Sequence, residues 1–389
     1  TMTSGTTSCV IAHKFCGDGS CLSGLAGFSP DSQENLYAGT EAGAASDSDT
    51  CFNIGIGFSA LSSANSGDDN IAIGSSVGKL LTSGSKNIIF GKNVMNCAAV
   101  TGDGNIALGA NSSKCITSGS GNIALGAYTL QCCLSTGLYN IAIGQLAGRK
   151  LQNNCNIAIG FHALLGGSSG GIGNCNIAIG NYAGKGLING HSNIFMGASA
   201  GKNITGSGSA DGSYNIGIGR DSLGAAADGN ATSGTGNAAF GHYSGRKISS
   251  GNSNSLFGRN SGCSVSTGKN NVFLGNAAGK CLTTGNSNIA IGPGATPPTD
   301  TGSHQLIIGV ANTTWISGDN SFNVGIGTTT IHSRLTVAGD ACVSGVVTAT
   351  SFSGSGSALT GITATGIGAI GGLTVKDQSG STVGTAGSI

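Results

Sequence analysis

Few residues in this chain could do acid–base chemistry, and their spacing does not suit it. The 389 residues include 16 acidic ones, of which only Glu34 and Glu41 are glutamates, and no acid lies between Asp103 and Asp211. Glycosidic hydrolysis needs two carboxyl groups close together. Asp211, Asp221 and Asp228 are the one local group within the body of the chain, placed to serve as a carboxylate pair or as a weak oxygen-ligand cation site. His13, His162, His191, His242, His304 and His332 are scattered, and no Ser-His-Asp or Cys-His arrangement can be drawn from them. Glycine-rich segments abound, yet none has phosphate-loop spacing. The reading is therefore no catalytic residue, no cofactor and no metal, and the chain is read as a non-enzyme.

The element that must position any of these groups is a repeat. Asn-Ile-Ala-Ile-Gly stands intact at 70–74, 140–144, 156–160, 176–180 and 288–292, with close relatives between. With the Asn as position 0, units begin at Asn35, Asn53, Asn70, Asn87, Asn105, Asn122, Asn140, Asn156, Asn176, Asn193, Asn215, Asn237, Asn254, Asn271, Asn288, Gln305 and Asn323. A short fixed period means that one structural unit stacks on copies of itself. Apolar residues at +1 and +3 (Ile71 and Ile73, Ile123 and Leu125) predict a short strand with that face buried. Gly at +4 in every unit demands positive φ or a neighbour too close for a Cβ. Apolar +10 and +11 (Leu80-Leu81, Trp315-Ile316) predict a second strand, and Ser-Gly or Thr-Gly near +13 and +14 a closing turn. The row of amides at position 0 predicts a ladder of hydrogen bonds from coil to coil.

Position +2 carries the oligomeric expectation. It is small at Ala72, Ala107, Ala124, Ala142, Ala158, Ala178 and Ala290, and large and apolar at Phe195, Leu256 and Phe273. With +1 and +3 assigned to the coil interior, +2 would face outward, and an apolar outward face is a covered one. No other segment is long enough to cover it, so another copy of the chain is expected to do so, with these ten residues lining a homotrimer axis as the first choice and a two-fold axis as the second.

The predicted fold is all-β: a parallel β-solenoid, or β-roll, of about 17 coils over 35–327. Residues 1–34 would cap or attach it, and 328–389 would form a small β-rich C-terminal region, with strands over Ser333–Gly339 and Ala341–Phe352. The last residues stop without a finishing element, as a fragment of a longer chain would. Three units are longer than the rest, and their extra residues fall near 166–172, 205–212 and 224–234. Insertions in a solenoid bulge sideways as loops. Within them Ser168, Ser169, Ser207, Ser209, Asp211, Asp228 and Asn230 are the candidates for contact with a receptor.

Composition narrows the function classes. Net charge is +1 and only 8% of residues are charged, so nothing selects nucleic acid or an anionic membrane. No apolar run reaches transmembrane length, and no secretory signal opens the chain, so membrane insertion is not expected. The basic residues at +9 (Lys79, Lys114, Arg149, Lys185, Lys202, Arg246, Lys280) form a broken stripe that could meet an anionic polysaccharide or lipopolysaccharide; it is read first as a solvated edge that keeps the solenoid soluble and blocks lateral strand pairing. Of the 13 cysteines, Cys97, Cys115, Cys132 and Cys281 share +10, and Cys155 and Cys175 share −1. They are read as free thiols filling stacked rows, consistent with manufacture in a reducing cytoplasm.

The Asn-Ile-Ala-Ile-Gly coils resemble the head repeats of trimeric adhesins of the YadA type, which implies a trimeric β-roll. The C-terminal stretch looks like a segment found in tail-fibre and other structural proteins of bacteriophages, particularly those of marine cyanobacteria. It comprises Asn323-Val-Gly-Ile-Gly, Arg334-Leu-Thr-Val-Ala-Gly and Gly345-Val-Val-Thr-Ala-Thr-Ser-Phe-Ser-Gly. That resemblance implies a structural fibre of a virion, assembled in the host cytoplasm, held by other virion proteins, and reaching a glycan or protein on the host surface. A secreted trimeric adhesin and a polysaccharide-degrading tailspike are the competing readings.

Overall fold

The computed structural model describes residues 30–131, 136–167, 171–205, 212–224, 233–311, 313–348 and 350, and the backbone of 374–376 and 382–385. The chain divides into two compact units, Thr1–Gly339 and Asp340–Ile389.

The first unit is a parallel β-solenoid of about 15 turns. Sixteen short strands, from β1 (Leu36–Ala38) to β16 (Leu306–Val310), come one per turn. Each pairs in parallel with the next, for example Ile54↔Ile71, Gly55↔Ala72 and Ile56↔Ile73. The same register persists to Ile289↔Leu306. Parallel neighbours need a return of a dozen or more residues, and a 17-residue unit is one three-residue strand plus that return. At about 4.8 Å per strand the ladder runs roughly 70 Å.

The return is made of turns rather than a second strand. In the described coils before Gln305 the expected strand at +10 and +11 is absent; the isolated bridge Leu81↔Val100 and single bridge positions at Ile116 and Ile204 are what remain of it. Left-handed backbone replaces it. Residues at −1, +6 and +8 have positive φ in coil after coil, as at Cys155 (60°), His162 (56°) and Leu164 (43°). These corners curl the chain back within one turn. Only +11 then points inward (Leu151, Leu187, Leu282), while +10 stays at the surface.

Position +4 behaves as its invariance demands. From Gly39 to Gly292 these glycines have φ between 118° and 135°. A Cβ on Gly109 would stand 2.7 Å from the carbonyl carbon of Gly126 in the next coil. Strain and collision both exclude a side chain there.

The amide ladder is continuous. Asn70 donates from its backbone N–H to Asn53 Oδ1 at 2.9 Å and from Nδ2 to the same oxygen at 3.0 Å. Its Nδ2 also donates to Gly84 O at 2.9 Å, closing its own coil. The pattern recurs up to Asn288 and ends on Gln305, whose N–H donates to Asn288 Oδ1 at 2.9 Å. These amides are buried, and the ladder supplies the partners that burial requires.

The strand faces are the reverse of the expectation. Ala72, Ala107, Ala124, Ala142, Ala158, Ala178, Phe195, Leu256, Phe273 and Ala290 have no exposed surface on the single chain. They point into their own coil, against +7 (Ala147, Ala163, Ala183) and +11. They therefore do not line an intermolecular axis. The cause is the width of the coil: one turn of 17 residues encloses a narrow interior that takes alanine or glycine at +2. Phenylalanine at +2 is seated over a glycine at +8 in two coils. Phe195 lies against Gly201, where a Cβ would come within 2.6 Å of the ring Cγ, and Phe273 lies against Gly279 in the same way. The bulky +1 and +3 residues take the outer side.

The parallel ladder stops one unit early. After β16 the chain runs back as β17 (Thr313–Gly318), antiparallel to it with a register shift at Ile308/Gly309. β18 (Val324–Ile326), at the expected seventeenth coil, pairs antiparallel with β17, and β19 (Leu335–Val337) joins β18 in parallel. The run Thr313-Thr-Trp-Ile is β-branched and aromatic, so it extends where other units turn. Trp315, read as part of a +10/+11 pair, is thus a strand residue with an exposed side chain.

In the second unit the described residues from Ala341 to Thr348 form no strand, against expectation, and Val343 and Val346 are exposed. β20 (Thr374–Lys376) and β21 (Thr382–Thr385) pair antiparallel with each other.

Candidate functional site

Two surface features of the solenoid are built from the repeat. The first is the outer face of the sheet. Positions +1 and +3 form two columns along the sixteen strands, apolar except at Ser255 and partly exposed throughout. The most open members include Leu274 at 51% and Val272 at 42% exposure. Thirty or so aliphatic and aromatic side chains in this state present on the order of 1,000 Å² of apolar surface, well above the few hundred typical of a soluble monomer's largest patch. Phe240 and Phe257 stack at +3 of adjacent coils, 4.8 Å apart and within 6° of parallel, so large residues there lie in register.

The second is a ledge on the flank, where the turn corner at +6 meets the basic position +9. In the coil beginning at Asn156, Phe161 and His162 occupy +5 and +6; in the next, Tyr182 is at +6 and Lys185 at +9. Phe161 and His162 have ring centroids 4.0 Å apart. Tyr182 meets both edge-on, at 5.5 Å from Phe161 and 5.1 Å from His162. Lys185 Nζ lies 4.9 Å from the Tyr182 centroid, and Lys202 Nζ, one coil on, lies 5.6 Å from it. Tyr182 is thus the hub that gathers two ammonium groups by cation–π attraction. Arg246 over Tyr243 at 4.7 Å repeats the +6/+9 pairing three coils later.

The electrostatics of the ledge are one-signed. Between Asp103 and Asp211 the sequence has five basic residues and no acidic one. His162 Nδ1 is buried without a hydrogen-bond partner. Burial of the ring, and then the positive charges of Lys185 and Arg149, hold its pKa below the ordinary 6.5. The folded state therefore binds fewer protons at His162 than the unfolded chain does. Stability is full above about pH 6.5 and falls as the pH drops below that value toward the lowered one. Thermal melting followed by circular dichroism should show this loss between pH 7 and 5. His162→Asn, which suits the left-handed corner, should flatten it; an unchanged pH dependence in that variant would remove His162 as its source.

The residues singled out from the sequence are distributed differently. Ser168, Ser169, Ser207, Ser209, Asp211, Asp228 and Asn230 lie outside the described residues. Asp221 sits at a +6 corner and pairs with Arg220 Nε at 3.2 Å. Among the described residues no group of three or more His, Cys, Asp or Glu could hold a metal ion, and no helix is long and apolar enough to cross a membrane. Cys51, Cys97, Cys155, Cys175, Cys263, Cys281 and Cys342 are free thiols, as read, but none is buried. They are not fillers of the interior, because −1 and +10 face outward. Of the basic +9 residues, Lys79 and Lys280 are exposed and the others half-buried. The union of this stripe with aromatics at +6 escaped the sequence reading, though the signal was present as an aromatic three residues before a basic residue in the same coil. No family model, no curated protein and no solved structure matches this chain.

Proposed function

We propose that the chain is a structural fibre protein of a bacteriophage virion: a stiff shaft that self-associates as a homotrimer, is held by other virion proteins, and extends a multivalent contact surface toward the host envelope. The observation that carries the structural half is the outer apolar face, two columns wide and sixteen strands long. Another copy of this chain is the occupant that fits it, because only an identical solenoid repeats the same columns at the same pitch along the whole length. The available area, on the order of 1,000 Å², is comparable with the roughly 800 Å² per partner of a stable protein interface. The resemblance of the coils to trimeric adhesin heads supports a stoichiometry of three, and the resemblance of residues 323–354 to phage fibre segments supports a virion. Identical chains about one axis would multiply weak adhesion at each into firm attachment. In this reading no catalytic step falls to the chain, and neither nucleic acid nor a lipid bilayer is its partner.

Light scattering should give the mass of a trimer for the purified chain. Ile141→Lys with Ile157→Lys puts two charges on the outer face and should shift that mass to a monomer while the melting transition is kept. A parent protein that is a stable monomer would end the trimer proposal. Immunogold labelling of phage particles with an antibody to the solenoid tests the virion assignment, and unlabelled particles that contain no such chain would end it.

A further inference from the structure

We propose that the ledge centred on Tyr182 is a binding site for an acidic polysaccharide, with Phe161 as the sugar platform and Lys185 and Lys202 as the anion contacts. The inference rests on the attachment reading for its biological setting, and on the ledge alone for its chemistry.

Phe161 is 37% exposed. At +5, beside the left-handed corner at His162, the Phe161 ring lies outside the coil interior. Its exposed part suits the apolar C–H face of a pyranose. Tyr182 stands at 77° to Phe161 and has both lysines over its own ring, so the platform and the cations adjoin without competing for one ring. The lysines approach Tyr182 from two successive coils, which fixes the ammonium pair beside the platform. Carboxylate or sulfate substituents on the sugar next to the stacked ring would reach them. With no acid between Asp103 and Asp211, the surrounding coils favour an anion. His162, with its Nδ1 buried, packs against Phe161 and Tyr182 and supports the rings.

Single-stranded nucleic acid is the other polymer that uses aromatics with cations. It needs a sequence of parallel open faces and a continuous basic track. Here Tyr182 is nearly perpendicular to its neighbours, so the rings form no run of parallel faces, and the chain as a whole carries a net charge of only +1.

The test is affinity electrophoresis and calorimetry of the full chain with polygalacturonate, dextran sulfate, neutral dextran and oligothymidylate. Binding to polygalacturonate or dextran sulfate, and not to neutral dextran, is expected; which of the two binds tells a carboxylate from a sulfate ligand. Phe161→Ala should weaken it about fivefold, the effect of one lost aromatic contact of about 1 kcal/mol. Lys185→Gln with Lys202→Gln should weaken it tenfold or more, whereas Lys79→Gln with Lys280→Gln, basic +9 residues without an aromatic at +6, should not. Melting curves confirm that each variant is folded. Equal loss in the Lys79/Lys280 control would show diffuse charge attraction and overturn the site, as would tighter binding of oligothymidylate or binding to neither acidic polymer. Light scattering on the same samples separates the two proposals: a trimer that binds no acidic polymer overturns the ledge alone, and a monomer that binds one overturns the fibre assembly alone.

Discussion

Ala142→Lys combined with Ala158→Lys is expected to unfold the central coils of the single chain. The two alanines are neighbours in register on β7 (Ile141–Ile143) and β8 (Ile157–Ile159) and are fully buried. There is no room for more than a methyl group: a Cβ added at Gly148 would already stand 3.3 Å from that of Ala142. Two ammonium groups would enter the same narrow interior, one coil apart, with no carboxylate among the surrounding residues. Desolvation of an unpaired charge costs several kcal/mol per group. In a solenoid each coil is held chiefly by its neighbours, so the damage should spread from this point. Circular dichroism melting and limited proteolysis should show lost cooperativity and new cleavage near 142–158. The outward pair Ile141→Lys with Ile157→Lys, one residue away in each strand, should melt almost normally. If instead the alanine variant melted like the parent and lost only its oligomeric state, the inward assignment of +2 would be wrong.

Asn140→Leu should have the next largest effect, through hydrogen bonding rather than packing. Asn140 Oδ1 accepts the backbone N–H of Asn156 at 2.9 Å and its Nδ2 at 3.2 Å. Asn140 Nδ2 donates to Asn122 Oδ1 at 3.0 Å. Leucine is close in volume but removes both functions. The buried N–H of Asn156 would be left without an acceptor, at about 1–3 kcal/mol per unsatisfied group. A total loss of about 3–5 kcal/mol is expected, concentrated at one junction between coils. Urea titration should resolve two transitions in place of one, and amide exchange should accelerate at Asn156 first. A uniform small shift with one transition would show that the ladder does not couple the coils.

The two variants probe properties of different legibility. The amide ladder could be read from the chain because Asn recurs at a fixed place where few other residues could serve. An amide both donates and accepts, so a stack of them satisfies itself, and no knowledge of the coil's cross-section is needed. Position +4 was legible for the same kind of reason, since total restriction to glycine has few physical causes. Strand facing was not. A strand of three residues with the pattern large, small, large has two apolar faces, and alternation by itself does not say which is inside. Hydrophobicity favoured Ile at +1 and +3 as core. The interior of a 17-residue turn is too narrow for two columns of Ile, and it took the alanine instead.

The ledge was missed because its parts are remote in the reading direction and adjacent only after coiling. Tyr182 and Lys202 are 20 residues apart, yet one turn places them together. The turn at β17 was missed because the period of glycine and asparagine runs on to Asn323 while the local Thr-Thr-Trp-Ile run prefers extension.

By itself, then, the sequence determined the class of fold, its period, the amide ladder and the glycine corners, all of which follow from recurrence and from residues with few alternatives. Tertiary structure decided which side of each rib is interior, that the return path is a set of left-handed corners, and where the stack ends. Those outcomes depend on the space one closed turn leaves inside itself, which is a property of the whole coil and of its neighbours rather than of any residue along it.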